Sequence, residues 1–270
     1  MYRDYKNKNV EFYFVYKSLA HPQTNGFVRP TTLDERLMHV AKARGSLGTT
    51  IPWVVDSMDN DLKHAMGSRP NSEFILDPKG RIVRMRDWSS PEAVRADLTE
   101  LVGKVDKPTD PRSLNMRADY GHSEVARGVV DRIRTSGRGM ALKVKTDEAA
   151  HPAYVKLRAE RVSENGSTKL YLGFFVDPIH SVHWNNLSGP VQIEVNGKTV
   201  TGPKVKAEAD ADPREFLVDL DDKGAVTITL KYVACDDDET WCRKLTQTYV
   251  VSMEVDRDAG RPRGFGGRSR

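Results

Sequence analysis

Apolar and polar positions alternate along much of the second half of the chain, and this period of two predicts β-strands. The predicted strands are short and separated by turns rich in Gly and Asn. Regular short strands of this kind favour an antiparallel, all-β arrangement of two packed layers. The strands fall at residues 155–162, 169–176, 191–195, 215–220, 225–233 and 245–255.

The first hundred residues have a different pattern, in which strands and helices alternate. The continuous apolar run at 10–16 predicts a strand buried on both faces, and the run at 52–55 predicts another. Helical spacing follows each run, at 33–43 and 60–66. Strands at 73–76 and 82–85 then flank a turn at Asp77-Pro78-Lys79-Gly80, and a last helix begins with Ser90 as N-cap and Pro91 at its first position.

Two prolines and mixed charges at 105–111 interrupt the pattern and indicate a domain boundary. We therefore expect an α/β domain at 1–104, a linker at 105–150 with one amphipathic helix at 123–134, and a β-sandwich at 151–256. The Arg- and Gly-rich end at 257–270 has the composition of a disordered tail.

Composition excludes several classes of partner. The 270 residues carry a net charge of +4, and this charge is not gathered into a basic domain. The short Arg/Gly tail resembles RNA-binding low-complexity sequence but comes without a folded reader, so we expect no nucleic-acid partner. No run of eighteen apolar residues occurs, so we expect no insertion into a membrane. The polar start MYRDYKNKN does not have the pattern of a signal peptide.

Cys235 and Cys242 are the only cysteines, and they lie in LKYVACDDDETWCRKLTQTY between two strand-like runs. The runs predict a hairpin whose strand ends bring the two sulfurs within reach of a disulfide. Such a pair serves either redox exchange or a permanent staple. The acidic residues between the cysteines disfavour a free thiolate, so we expect these cysteines to be poor free nucleophiles.

Other residues with chemical potential have simpler interpretations. The acidic run 236–239 is a possible calcium site or a solvated loop, and it has no EF-hand glycine. His180 and His183, three apart in a strand, would face opposite sides of the sheet, which favours packing over metal binding. Asp56, Asp59 and Asn60 are expected to cap the helix that follows them. Phosphate-loop, nucleophile-elbow and metalloprotease motifs are missing, and we expect no cofactor and no metal.

Four blocks in order resemble the iodothyronine deiodinase family, a branch of the thioredoxin-like fold. They are FYFVYKSLAHP from Phe12, TTLDERL from Thr31, VVDSMDN from Val54 and AMGSRP from Ala65. The resemblance implies a thioredoxin-like fold for residues 1–104, without its first strand. It also implies that His21 lies near the substrate and that Pro70 follows a cis peptide bond facing the active site.

This resemblance comes with two departures. The family's nucleophile lies upstream of every block present here, and the Glu before Ala-His-Pro is Leu19. We therefore do not expect deiodinase activity from this chain alone, and His21 is also consistent with an ordinary loop histidine. One alternative is a deiodinase-like or peroxiredoxin-like enzyme whose nucleophile lies in a segment preceding Met1.

Residues 151–256 resemble the amino-terminal periplasmic domain of the DsbD family, an immunoglobulin-like sandwich that passes electrons between dithiols. The resemblance rests on FVDPIHSVHWNNLSGPVQIEV from Phe175 and on YVACDDDETWC, with a cysteine spacing slightly longer than the commonest form. It implies a periplasmic or otherwise extracytoplasmic location and a redox protein with a reactive dithiol as partner. Trp241 would then shield the sulfurs until that partner binds.

The leading hypothesis is a thiol-disulfide exchange protein, oxidoreductase-like, that uses Cys235 and Cys242 as its redox pair. The alternative from another class is a non-enzymatic binding or scaffold module in which the same bond is structural.

Overall fold

The computed structural model describes residues 1–23, 27–114, 130–135, 138–147, 152–206, 208–220 and 224–260. The chain divides into two compact units, one of Met1–Ser18 with Arg36–Asp119 and one of Leu19–Glu35 with Tyr120–Arg270. Four α-helices lie within the described residues: α1 (Tyr2–Tyr5), α2 (Leu33–Leu47), α3 (Asp61–Met66) and α4 (Pro91–Val102).

The first unit contains two separate pairs of strands. β1 (Phe14–Tyr16) and β2 (Trp53–Val55) are parallel, and β3 (Glu73–Leu76) and β4 (Ile82–Arg86) form an antiparallel hairpin. The expectation that 10–16 is buried on both faces is wrong, because only three of its residues form a strand and the side chain of Phe14 is 40% exposed.

The thioredoxin-like α/β fold expected for residues 1–104 is also wrong. Such a fold requires one shared central sheet, whereas the four described strands of this unit form two sheets of two strands. Strands of three to five residues bury little surface, and the described chain as a whole is dominated by β-structure.

Some of the residues predicted to cap helices in this unit do so, and others do not. Ser90 caps α4 as predicted, because its hydroxyl accepts a hydrogen bond from the Ala93 amide. Asp56 caps α3, with its two carboxylate oxygens accepting from the amides of Leu62 and Lys63 at 2.9 and 3.0 Å. Asn60 makes no capping bond and instead accepts from Arg36 at 2.8 Å.

The second unit contains nine antiparallel strands that form one sheet, in the order β10-β9-β12-β13-β5-β6-β7-β11, with β8 also paired to β12. Six of these strands coincide in position with the segments expected from the alternating pattern. The strands are β5 (Met140–Thr146), β6 (Val155–Glu164), β7 (Ser167–Val176), β8 (Val182–Trp184), β9 (Gln192–Val195), β10 (Lys198–Thr201), β11 (Arg214–Asp219), β12 (Val226–Asp236) and β13 (Cys242–Val255).

This sheet curls around a single apolar core. Phe174 of β7 lies 5.8 Å from Tyr249 of β13, measured between ring centroids, although two other strands separate β7 from β13 in the sheet. The immunoglobulin-like sandwich of two separate sheets is therefore a wrong expectation. The physical reason is β5, which pairs with β13 through residues 142–146 and with β6 through Met140 and Ala141, and so joins the two halves.

Two segments of the sequence analysis fall largely outside the described residues. Residues 123–129 of the expected linker helix and residues 261–270 of the expected tail lie outside the described residues. Residues 130–134 of the expected helix are described and are not helical. Across the described ranges no helix is both long and apolar enough to cross a membrane.

Candidate functional site

A long hairpin carries the two cysteines. β12 and β13 pair over ten consecutive positions, from Val226 opposite Val251 to Cys235 opposite Cys242. The two sulfurs form a disulfide, and the Cα atoms lie 4.1 Å apart. This short distance is typical of a directly opposed pair that does not exchange backbone hydrogen bonds. The prediction that the strand ends bring the sulfurs within bonding reach is confirmed.

The disulfide lies on the face of the sheet that points away from the core. Alternate residues of β12, from Val226 to Ala234, belong to the core, so Lys231, Val233 and Cys235 point the other way. Residues opposite each other across a ladder share a face, which places His183 beside Cys235 on the neighbouring strand β8.

The two cysteine residues differ in exposure. Cys235 is 5% exposed, whereas Cys242 is exposed at the start of β13. The side-chain amide of Asn185 lies against both, with Nδ2 3.4 Å from Cys235 Sγ and 3.6 Å from Cys242 Sγ. The oxygen of the same amide accepts from the Leu187 backbone at 3.0 Å, which fixes Nδ2 toward the sulfurs.

Sequence reasoning missed Asn185. It lies fifty residues before Cys235, and one asparagine in a loop has no pattern that indicates a contact with sulfur. The block FVDPIHSVHWNNLSGPVQIEV contains Asn185, and its resemblance to the DsbD family is the one signal in the sequence that includes this residue.

The acidic turn between the cysteines is held by its own side chains. Asp236 accepts hydrogen bonds from the Thr240 hydroxyl and from the Trp241 amide. Desolvation raises the pKa of Asp236, but these hydrogen bonds outweigh it and lower the pKa overall. His183 Nδ1 lies 3.2 Å from the carboxylate of Asp237. The turn therefore keeps negative charge on one side of the disulfide.

The remaining predicted site residues lie in different places. Trp241, next to Cys242, packs against the core, with its ring 5.9 Å from Tyr154 and 4.9 Å from the guanidinium of Arg243. His21 is exposed in a turn of the second unit. Pro70 is exposed in the first unit, and the expected cis bond before it is wrong, because that peptide bond is trans.

A second polar cluster lies apart from the predicted site residues, on β6 and the turn after β7. The buried ammonium of Lys156 forms an ion pair with the buried carboxylate of Glu35, and His180 Nε2 lies 3.1 Å from the same oxygen. Burial alone would raise the pKa of Glu35, but the His180 hydrogen bond and the charge of Lys156 lower it to about 2.

Asp177 completes this cluster. It is fully buried, and burial raises the pKa of its carboxyl to about 6 despite the nearby charge of Lys156. Glu35, Asp177 and His180 each offer a metal-ligand atom, and these atoms lie within 4.8 Å of one another. Lys156 already supplies a cation to Glu35, so the cluster is a charge-compensated buried centre. His180 thus pairs with carboxylates and not with His183.

Comparison of the chain with models of protein families and with curated proteins finds no match.

Proposed function

We propose that the protein takes part in thiol-disulfide exchange through Cys235 and Cys242, with a redox protein that has a reactive dithiol as its partner. The observation that carries the proposal is the exposed residue Cys242 on the outer face of the sheet, which is disulfide-bonded to the buried residue Cys235 and contacted by the Asn185 amide. An exposed sulfur with a donor beside it has the access that attack by another thiolate needs.

The exposure of the two cysteine residues supports different roles for their sulfurs. The partner's thiolate attacks Cys242 Sγ, because that sulfur is accessible, and the bond to Cys235 breaks. Cys235 leaves as a thiolate, which the Nδ2 donor of Asn185 stabilises at 3.4 Å and which then takes up a proton.

A second thiolate of the partner then attacks its own sulfur in the mixed disulfide and releases Cys242. In sum, the partner's dithiol is oxidised to a disulfide and the Cys235–Cys242 bond is reduced to two thiols. Two electrons and two protons pass from the partner to this protein. The reverse reaction oxidises a partner. The resemblance to the DsbD family supports this chemistry and an extracytoplasmic location.

Single substitutions test the assignment of the two sulfurs. Cys235→Ser leaves the exposed thiol of Cys242, so we expect it to trap an activated disulfide of a small peptide as a stable mixed disulfide. Cys242→Ser is the matched control, because it leaves the buried thiol of Cys235, and we expect at least tenfold less trapping. Mass spectrometry of the intact protein measures both adducts.

Titration of the oxidised protein against dithiothreitol redox buffers, with alkylation of free thiols, gives the reduction potential of the pair. If the disulfide stays intact in folded protein against excess dithiothreitol, the exchange function is wrong. The disulfide is then structural, as in a binding or scaffold module, and the ten-position hairpin it closes favours that second function.

A further inference from the structure

A cleft of about 350 Å³ opens beside the disulfide, on the same side of the hairpin as Asn185. It lies where β8 ends and β9 begins, because both strands pair with β12 and the chain between them leaves the sheet. Asn185 connects the cleft to the sulfurs, since its side chain both lines the cleft and contacts Cys235 and Cys242.

Basic residues line the cleft. Three basic residues, Arg214, Lys231 and Lys244, are among the described residues that line it, and none of those residues is acidic. Arg214 is buried, and its guanidinium lies 5.1 Å from the centre of the Trp184 ring. Lys231 forms an ion pair with Glu194 at 2.5 Å. The exposed Lys244 forms no ion pair within the part of the chain that the structure describes.

The residues on the two sides of the disulfide carry opposite charges. On the far side of the sulfurs lies the turn with Asp236, Asp237, Asp238 and Glu239, and on the near side lies the cleft with its three basic residues. An extended segment that crosses the disulfide therefore meets negative charge at one end and positive charge at the other. This gradient favours one orientation of the segment over the other.

The ladder fixes the spacing of the charges. On the outer face, Cys242 is followed by Lys244 two residues later, and Cys235 is preceded by Lys231 four residues earlier. An extended strand advances about 3.3 Å per residue and turns every second side chain to the same face. A bound strand with its cysteine at Cys242 thus places its second and fourth neighbours near Lys244 and Lys231.

We infer that the cleft binds an extended segment of the redox partner that has acidic side chains two and four residues from its reactive cysteine. This inference rests on the proposed exchange function and specifies its partner. Lys244 and Lys231 pair with the two carboxylates, Val233 on the same outer face receives an apolar group, and the acidic turn repels the segment in the reversed orientation.

Synthetic peptides with one cysteine test the inference. Four peptides have Glu or Gln at the second and fourth positions, either before or after the cysteine, and the rate of mixed-disulfide formation with oxidised protein is measured for each. We expect the Glu peptide of one orientation to react about two- to fivefold faster per charge than its Gln counterpart. This ratio should approach one in 0.5 M salt.

Lys244→Glu should reverse the ratio, so that a peptide with Lys in place of Glu becomes the faster one. Lys145→Glu is the matched control: it makes the same change of charge on the same face, but opposite Val250, six residues further along β13. We expect the Lys145→Glu ratio to equal that of the wild type. Equal rates for Glu and Gln peptides in the wild type, or an unchanged ratio in Lys244→Glu, would overturn the inference.

A binding measurement separates this inference from the exchange function. The same peptides with Ser in place of Cys are added to the protein, and backbone amide shifts of Val233 and Lys244 are followed by NMR. If Glu peptides shift these amides more than Gln peptides but no exchange occurs, the proposed function fails and the cleft assignment holds. If exchange occurs without any charge preference in either measurement, the cleft assignment alone fails.

Discussion

Individual residues around the disulfide have roles that depend on contacts distant in sequence. The cysteines themselves were predictable, because they are the only two and end the same pair of strands. Asn185 was not, since it contacts the sulfurs from the loop after β8, fifty residues earlier in the sequence. The sequence was therefore enough to predict the two reacting sulfurs. The side chain that contacts them could be identified only from the fold.

Asn185→Asp is a sharp test of that contact. The substitution keeps an oxygen to accept from Leu187, but it replaces the Nδ2 donor beside the sulfurs with a negatively charged oxygen. A hydrogen bond to a charged group contributes about 1.5–3 kcal/mol, so we expect the rate of reduction by dithiothreitol to fall by at least about tenfold. The rate is measured by alkylation and mass spectrometry.

The melting temperature serves as the control for Asn185→Asp. An unchanged melting temperature with an unchanged rate would show that Asn185 only supports its own loop. A raised thiol pKa in the reduced variant, measured by the pH dependence of alkylation, would instead support direct action on sulfur.

Asp177 makes stability depend on pH. Its folded pKa of about 6 lies above the value of an exposed carboxyl, so the folded state binds the extra proton between about pH 4 and pH 6. Stability is therefore gained as pH falls through 6 and lost as pH rises through it. The shift corresponds to about 3 kcal/mol at neutral pH.

Asp177→Asn should remove this dependence. We expect the variant to be more stable than the wild type by up to about 3 kcal/mol at pH 7, and by only about 1 kcal/mol at pH 4.5. Urea unfolding at both values measures the difference. Glu35 titrates outside this window, because its pKa of about 2 affects stability only below about pH 4.5. A constant difference between the two proteins across the window would contradict the prediction.

At the scale of elements, strand positions were predicted better than burial. The alternating pattern located six strands of the second unit, whereas β5, β8 and β10 were missed, two of them because they have only three or four residues. The apolar run at 10–16 predicts a strand buried on both faces, but its strand is short and largely exposed. Apolar composition alone does not show what covers a strand.

Loss of the disulfide should weaken the β12–β13 hairpin without unfolding it. The bond joins residues seven apart, and closing so short a loop stabilises by about 2.5 kcal/mol in the chain-entropy model. The nine other paired positions reach into the core and remain. We expect the reduced protein to keep its far-ultraviolet circular dichroism while its free energy of unfolding falls by about 2–3 kcal/mol. Complete loss of β-structure on reduction would show that the hairpin depends on the bond.

At the scale of the whole molecule, the class of fold was the least predictable feature. Both expected architectures followed from the apolar pattern together with resemblance, and neither is present. The strands of the first unit form two separate pairs, and β5 joins the strands of the second unit into one curled sheet. Alternation indicates which face of a strand is apolar, but it does not indicate which strands are neighbours. That information lies in pairings between distant segments.

The segment 19–35 is one such distant partner. Lys156 and Arg158 of β6 alternate with core residues, a pattern typical of a solvent-facing side, yet both are buried. Within the second unit Glu35 pairs with Lys156, and Val28 packs against Phe175 of β7. The outer side of these strands is therefore covered by a much earlier part of the chain.

Glu35→Gln tests the energetic importance of that cover. The substitution leaves the ammonium of Lys156 buried without its charged partner, which costs about 3–5 kcal/mol. Glu35→Gln combined with Lys156→Met removes both charges, so we expect most of the stability to return. Urea unfolding of the two variants measures the difference. Equal destabilisation in both would show that packing, and not charge pairing, dominates at this position.

Arg29 forms an ion pair with Asp256, 227 residues later, just beyond the end of β13. A ribosome delivers these two partners at opposite ends of synthesis, so the early segment emerges long before the last strand exists. The second unit therefore completes its native contacts only after Asp256 has left the exit tunnel. Contacts between segments so far apart in the sequence form later than contacts between neighbouring segments.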